Sequence, residues 1–205
     1  MKKIMSVLPA LLVFSASCVF AEDGYRLWLR YDKVSNAQLL KSYQQSIKAW
    51  LVDGSSPTMS IIKKEINLGL SGLLGFNVPA VSSLSTDGLV IFATGNSMLL
   101  SSLNLDEKLE NAGDEGYIIL SATVNKKKAI VVAANKEVGV LYGAFHFLRL
   151  LQTEESVSNL SIQSSPRIKL RLLNHWDNLD RTVERGYAGF SLWDWHRLPG
   201  YIDAR

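Results

Sequence analysis

The sequence predicts an α/β fold: a mixed-sheet domain with packed helices, followed from residue 166 by a second unit. Three observations carry that prediction. Apolar runs of strand length alternate along the chain with segments of helical period. A hydrophobic fraction of 47% and a net charge of +3 over 205 residues describe a globular chain with a core to bury. Residues 153–167, "TEESVSNLSIQSSPR", turn small and polar and reach Pro166, which fits a boundary between units.

The chain starts "MKKIMSVLPALLVFSASCVFAED", with Lys2 and Lys3 ahead of an apolar stretch from Ile4 to Phe14 and then Val19-Phe20-Ala21. That is the order of a secretory signal peptide cleaved after Ala21, so residues 1–21 are expected to direct a secreted or periplasmic product. A spanning helix needs about 20 apolar residues, and no membrane anchor is expected after cleavage. Cys18, the one cysteine, lies inside this segment. A lipid-bearing Cys18 is the lesser alternative, because Ser15 stands where lipoprotein signals usually carry Leu. Without other cysteines the mature chain must be stabilised by packing rather than disulfides. Lysines and arginines are scattered apart from Lys126–Lys128, which reads as a hairpin tip, so no nucleic-acid partner is expected.

Within residues 22–165, Tyr25–Tyr31 alternates Leu27 and Leu29 with Arg26, Trp28 and Arg30 and predicts a half-buried strand. "SNAQLLKSYQQSIKAWL" predicts a helix capped by Ser35 or Asn36, with Leu39, Leu40, Tyr43, Ile47 and Leu51 on its buried face. Pro57 opens a second helix reaching about Leu74, striped by Ile61, Ile62, Ile66, Leu70, Leu73 and Leu74 and weakened by Gly69 and Gly72. Leu89–Ala93 predicts a buried strand, and Gly95–Ser97 a turn. Tyr117–Thr123 and Ala129–Ala134 predict a hairpin. A helix capped by Asn135 follows, with Val138, Leu141, Tyr142, Phe145 and Leu148 on one face and Gly139 and Gly143 permitting close approach to a sheet. His146 on this helix reads as a packing residue, since no Cys or second His has metal-site spacing, and no metal site is expected. A short strand near Leu160–Ile162 closes the unit.

In "KLRLLNHWDN", residues 169–178, the apolar side chains of a strand stop abruptly at amide, aromatic and charged ones. In parallel α/β barrels the C-terminal end of a strand carries the chemistry while the rest packs, which makes residues 174–178 the strongest site candidate. Tryptophan suits the apolar face of a pyranose ring, Asp and Asn pair with its hydroxyls, and Arg holds a carboxylate through two parallel hydrogen bonds. A capped βα loop accounts for the same Asp and Asn residues, so composition leaves both readings open. Trp193 and Trp195, two apart, share a face in extended backbone and form either an aromatic wall or a buried pair.

The segment "RLLNHWDNLDRTVERGYAGFSLWDWHRLP", residues 171–199, closely resembles the start of the catalytic barrel in glycoside hydrolase family 67, the microbial α-glucuronidases. The run "NKEVGVLYGAFHFLRLLQ" resembles the last long helix of that family's N-terminal domain. The resemblance implies that residues 166–205 begin a (β/α)8 barrel, truncated because a complete barrel takes about 250 residues. It implies an inverting, exo-acting hydrolase that removes glucuronic acid or its 4-O-methyl ether from glucuronoxylo-oligosaccharides. It also implies no metal or organic cofactor, and homodimers in full-length members.

In the family the catalytic carboxylates come from later barrel strands, so no catalytic residue is assigned here, not even among Asp177, Asp180 and Glu184. Trp176, Asn178, Glu184 and Arg185 are expected to touch substrate or shape its site. The expected function is therefore that of an N-terminal portion of an α-glucuronidase, inactive alone. The alternatives are a noncatalytic carbohydrate-binding or accessory module, or another sugar hydrolase with a similar start.

Overall fold

The computed structural model describes residues 30–172, 196–198 and 200. Its centre is a five-stranded mixed sheet of β1 (Ala49–Val52), β2 (Leu89–Thr94), β3 (Tyr117–Val124), β4 (Lys127–Ala134) and β5 (Ser161–Ser164), in the order β1-β2-β4-β3-β5. β1, β2 and β4 run parallel, and β3 lies antiparallel to both β4 and β5. Parallel strands are covered on both faces, which is why "AWLV", "LVIFA" and the end of β4 are apolar without interruption.

Successive side chains go to opposite faces, and each face has its own core. Trp50, Val90, Phe92, Ile119, Val132 and Ala134 meet helices α1 (Ala37–Ser46), α2 (Pro57–Leu74) and α4 (Glu137–Gln152). Leu51, Ile91, Ala93, Ile118, Val131 and Ala133 meet Leu100 of a 3₁₀ helix (Met98–Leu103) and Leu109 of α3 (Asp106–Ala112).

The predicted starts of α1 and α2 are met, and α4 is corrected both at its start and in its buried face. Asn36 caps α1, its Oδ1 accepting from the backbone N–H groups of Gln38 and Leu39 at 3.1 Å each. Asn36→Ala is expected to cost about 1 kcal/mol, read as a lowered urea midpoint. The first helix does not run to Leu51. It ends at Ser46, Ile47 turns extended at φ −112°, and Ala49–Val52 becomes edge strand β1. Ile47 and Leu51 satisfy helical spacing by coincidence; the four-residue apolar run pairs with β2, and the Trp50 indole N–H donates to the Val78 carbonyl at 3.0 Å.

α2 spans Pro57–Leu74 as its sequence predicts, with Pro57 in the first turn. Ile62, Ile66, Leu70, Leu73 and Leu74 are buried, whereas Ile61 is 54% exposed and leaves the predicted stripe. Gly69 does more than weaken the helix, because it lets the Leu148 side chain of α4 sit against its backbone.

The hairpin turn is Asn125–Lys126, at φ 48° and 64°, the pair of positive values that a two-residue type I′ loop needs. Lys127 and Lys128 belong to β4 rather than to the tip.

Asn135 does not cap α4. Its amide donates to the carbonyls of Leu109 (2.6 Å) and Gly113 (3.0 Å), and Lys136 occupies the cap without a side-chain bond. The buried face of α4 is also rotated from the predicted one. Gly139, Val140, Gly143, Ala144, Phe147, Leu148 and Leu151 point inward, while Val138, Leu141 and Phe145 are only half-buried and Tyr142 is exposed. The glycines are the reason, since they bring the backbone so near the sheet that their side of the helix becomes the inner one. A Cβ on Gly143 would lie 2.5 Å from Val132 Cγ1.

β5 forms where Leu160–Ile162 predicts a strand. Residues 25–29 of the first predicted strand lie outside the described residues, and Arg30 and Tyr31 belong to no strand. The predicted barrel falls almost wholly outside them as well.

Candidate functional site

Trp176, Asn178, Glu184 and Arg185, with Asp177, Asp180, Trp193 and Trp195, lie outside the described residues. The structure does describe how the chain approaches them. After β5, Ser165 donates from its hydroxyl to the Ala112 carbonyl at 2.8 Å, and Pro166, Arg167 and Ile168 pass a hollow of about 410 Å³ shared with Tyr117 and Tyr142. Arg171 then reaches back. Its guanidinium pairs with Glu115, donates to the Ile168 carbonyl at 2.5 Å and to the Tyr142 hydroxyl at 3.4 Å, and lies 5.6 Å from the Tyr142 ring centre. The Tyr142 hydroxyl and the Glu115 carboxylate both push the guanidinium pKa further up. Along this exit Ile168, Leu170 and Leu172 are 66%, 73% and 81% exposed. Three large apolar side chains at alternate positions are the pattern of a strand built to be covered on one face.

A second feature lies beside this exit. A cleft of about 870 Å³ is lined by Tyr31, Tyr117, Phe145, His146, Arg149 and the helix end at Gln152 and Thr153. The Tyr117 hydroxyl and His146 Nδ1 are 2.8 Å apart, with the rings edge to face at 5.7 Å. The Tyr31 hydroxyl donates to Glu65 at 2.6 Å, and burial, with Glu65 adding to it, pushes its pKa well up. Burial, reinforced by Arg149, lowers the pKa of His146 from its usual value, so the imidazole is neutral at pH 7.

The sequence reading of His146 as a packing residue agrees with this placement, although it also forms part of a cleft wall. Because the fold holds fewer protons there than the unfolded chain, His146 contributes stability that is present at neutral pH and lost as pH falls below about 6.5. The expected result is a smaller loss of thermal stability between pH 7 and 5 in His146→Gln than in the parent.

In parallel α/β sheets ligands gather at the carboxyl ends of the strands, and here those groups are spent on one another. Ser97, a buried polar residue, donates to Asp53 at 2.5 Å, and Ser56 donates to Glu137 at 2.5 Å while capping α2 through the Met59 N–H at 3.1 Å. Among the described residues no cluster of His, Cys, Asp and Glu is arranged to hold a metal ion. In the described unit these polar side chains pair with one another. Its polar groups brace the sheet, and its exposed apolar groups accompany the chain toward residue 173.

Comparison with known families decides what that architecture is part of. The model described as "Glycosyl hydrolase family 67 N-terminus" matches residues 27–147, and the middle-domain model of the same family matches residues 150–205. The chain belongs to glycosyl hydrolase family 67. Its relatives in that family include "Probable alpha-glucuronidase A" of Aspergillus fumigatus, 29% identical over 183 residues, which are 88% of this chain and 21% of the relative. "Alpha-glucuronidase" of Hypocrea jecorina is 28% identical over 219 residues, 97% of this chain and 25% of the relative. "Alpha-glucuronidase A" of Aspergillus tubingensis is 27% identical over 184 residues, 88% and 21% respectively. The family 67 chain thus spans between a fifth and a quarter of the length of these relatives.

Proposed function

We propose that this chain is the N-terminal portion of an α-glucuronidase that hydrolyses the α-1,2 link between (4-O-methyl)glucuronic acid and xylo-oligosaccharides. The observation that supports the reading is the pair of adjoining family matches, to the N-terminus and the middle domain of family 67, together with relatives named α-glucuronidase that align over 88–97% of this chain. Residues 22–165 form the first domain and residues 166–205 the opening of the (β/α)8 barrel, with Ile168, Leu170 and Leu172 on the covered face of its first strand. Residues 1–21 export the protein.

Inverting hydrolysis needs one carboxylic acid to protonate the leaving oxygen and a second carboxylate to activate water on the opposite face of the sugar. The two stand about 6.5–9.5 Å apart. On this reading both come from barrel strands that follow, and the 205 residues alone release no uronic acid. Trp176 stacks on the uronosyl ring, Asn178 pairs with a ring hydroxyl, Arg185 holds the carboxylate and Glu184 orients Arg185. No cofactor takes part.

The test compares the 205-residue chain with a protein extended by an active family 67 barrel, both assayed on aldouronic acids. The extended protein is expected to release uronic acid with the β anomer appearing first by NMR, and the short chain none. Release by the short chain would place the catalytic pair within it and sink the reading. Retained anomeric configuration would sink the inverting mechanism. A heat of binding between aldouronic acid and the short chain, lost in Trp176→Ala, would instead favour a carbohydrate-binding module.

A further inference from the structure

The turn that ends α4 carries a residue that its local setting disfavours. The Glu154 N–H donates to the Leu151 carbonyl at 3.2 Å and the Glu155 N–H to the Leu150 carbonyl at 2.9 Å, the paired bonds of a Schellman motif. Glu154 holds the left-handed position of that motif, at φ 59°. Glycine usually fills it, because a Cβ in that conformation crowds the following carbonyl. A negative charge is also unfavourable just past the C-terminal end of a helix, where unpaired carbonyls already point outward. Neither the turn nor α4 accounts for a glutamate here.

Its side chain does. Glu154 Oε1 accepts from the Ser35 N–H at 3.1 Å, the Ser35 hydroxyl at 2.7 Å and the Asn36 N–H at 2.9 Å. These donors stand at the N-terminus of α1, 119 and 118 positions away along the chain. In a capping box the carboxylate that bonds the cap residue's N–H comes from the third residue of the same helix. In α1 that residue is Leu39, which has no acceptor to offer, and Glu154 takes the role from the end of another helix. Asn36 supplies the other half of the box, to the N–H groups of Gln38 and Leu39. The Tyr43 hydroxyl adds a second tie, donating to the Glu155 carbonyl at 2.5 Å.

We propose that Glu154 is an acid-sensitive clasp that holds residues 30–36 and the start of α1 against the end of α4. Ionised, one oxygen takes three donors; protonated, it loses the charge that makes such bonds strong. The Ser35 hydroxyl, and after it the Asn36 N–H, hold the Glu154 carboxyl below the usual glutamate pKa. A carboxylate lowered in this way contributes stability that is present above its unfolded pKa and lost as pH falls through the folded one. The charged and titratable groups around it are Arg30, Asp32 and Lys33, which line the same hollow, Tyr43 of α1, Arg149 in the last turn of α4, and Glu155. Arg30 and Asp32 stand 3.9 Å apart. Tyr31, from the segment that is clasped, and Gln152 and Thr153, from the helix end, line the cleft of about 870 Å³, so the clasp fixes the width of that end of it. All its members lie within residues 30–155, and it stands independently of the family reading.

The experiment compares the 205-residue chain with Glu154→Gly, Glu154→Gln and Ser35→Ala, by thermal melting and by NMR of the Ser35 and Asn36 amides. Glycine relieves the left-handed backbone, so a glutamate without a role requires Glu154→Gly to be the more stable protein at every pH. The clasp predicts the reverse at pH 7, a melting temperature about 3 °C lower, with the difference closing or changing sign toward about pH 3. The two amides are expected to titrate together, with a midpoint below the ordinary glutamate value, and to stop titrating in Glu154→Gln. Ser35→Ala, which removes one donor, is expected to raise that midpoint. A stabilised Glu154→Gly at pH 7, or an amide titration that survives Glu154→Gln, would overturn the proposal. So would loss of α1 and the sheet in one acid transition unchanged by Glu154→Gln, which would leave Glu154 no part in acid sensitivity.

Discussion

Phe147→Ala is expected to lower the stability of the first domain by about 4 kcal/mol, measured as a fall in the urea midpoint at unchanged slope. Phe147 is fully buried between α4 and the sheet, and its ring meets Phe92 edge to face with centres 6.1 Å apart and planes at 69°. Truncation removes the transfer energy of the ring, forfeits the aromatic pair and leaves a cavity that strands β2 and β4 cannot close, because their own side chains are fixed by pairing. Phe147→Leu, which keeps most of the volume, is expected to cost about 1.5 kcal/mol. Phe145→Ala, two residues away, is expected to cost no more than about 1 kcal/mol in the 205-residue chain, since that ring is half-buried against an open cleft. Equal losses at 145 and 147 would mean that the inner face of α4 has been assigned wrongly.

Gly139→Val is the second large effect, about 3 kcal/mol, from overpacking rather than cavity formation. A Cβ at Gly139 would lie 2.5 Å from the Gly116 carbonyl oxygen and 2.7 Å from Ala134 Cβ, so both a turn and a strand would have to yield. The Gly116 oxygen is backbone and cannot rotate away as a side chain does. Gly139→Ala gains about 1 kcal/mol of helix propensity and still meets the same two atoms. It is expected to lose about 1 kcal/mol net, and a stabilised Gly139→Ala protein would contradict the close helix–sheet approach.

These two positions show why the helix was legible and its orientation was not. Val138, Leu141, Tyr142, Phe145 and Leu148 form a good helical stripe, and so do Val140, Ala144, Phe147 and Leu151. A helix apolar on all sides gives no amphipathic contrast, so periodicity cannot choose between them. Packing chose the side with the glycines, where the backbone comes closest to β4. Edge strand β1 was hidden by a similar degeneracy, because Ile47 and Leu51 continue the spacing of α1 while their partner strand lies some forty residues along the chain.

The candidate site was legible in a different way. Composition around Trp176 leaves a sugar site and a capped loop open, and the sugar-site expectation rests on the resemblance of residues 171–199 to glycoside hydrolase family 67. The family matches to residues 27–147 and 150–205 bear out that resemblance. The Arg171–Glu115–Tyr142 clasp had no local signal at all, since its members are separated by 56 and 29 positions.

Sequence pattern sufficed for the alternation of strands and helices, the limits of α2, the hairpin, a cap at Ser35 or Asn36, and the family. Each of these depends on neighbours within a few residues or on a motif long enough to be specific. Tertiary structure decided which side of α4 is inner, that Ala49–Val52 is a strand, and that Asn135 braces α3 rather than capping α4. Those outcomes depend on contacts between distant segments, where burial of apolar area and satisfaction of buried polar groups outweigh the local preferences that sequence patterns record.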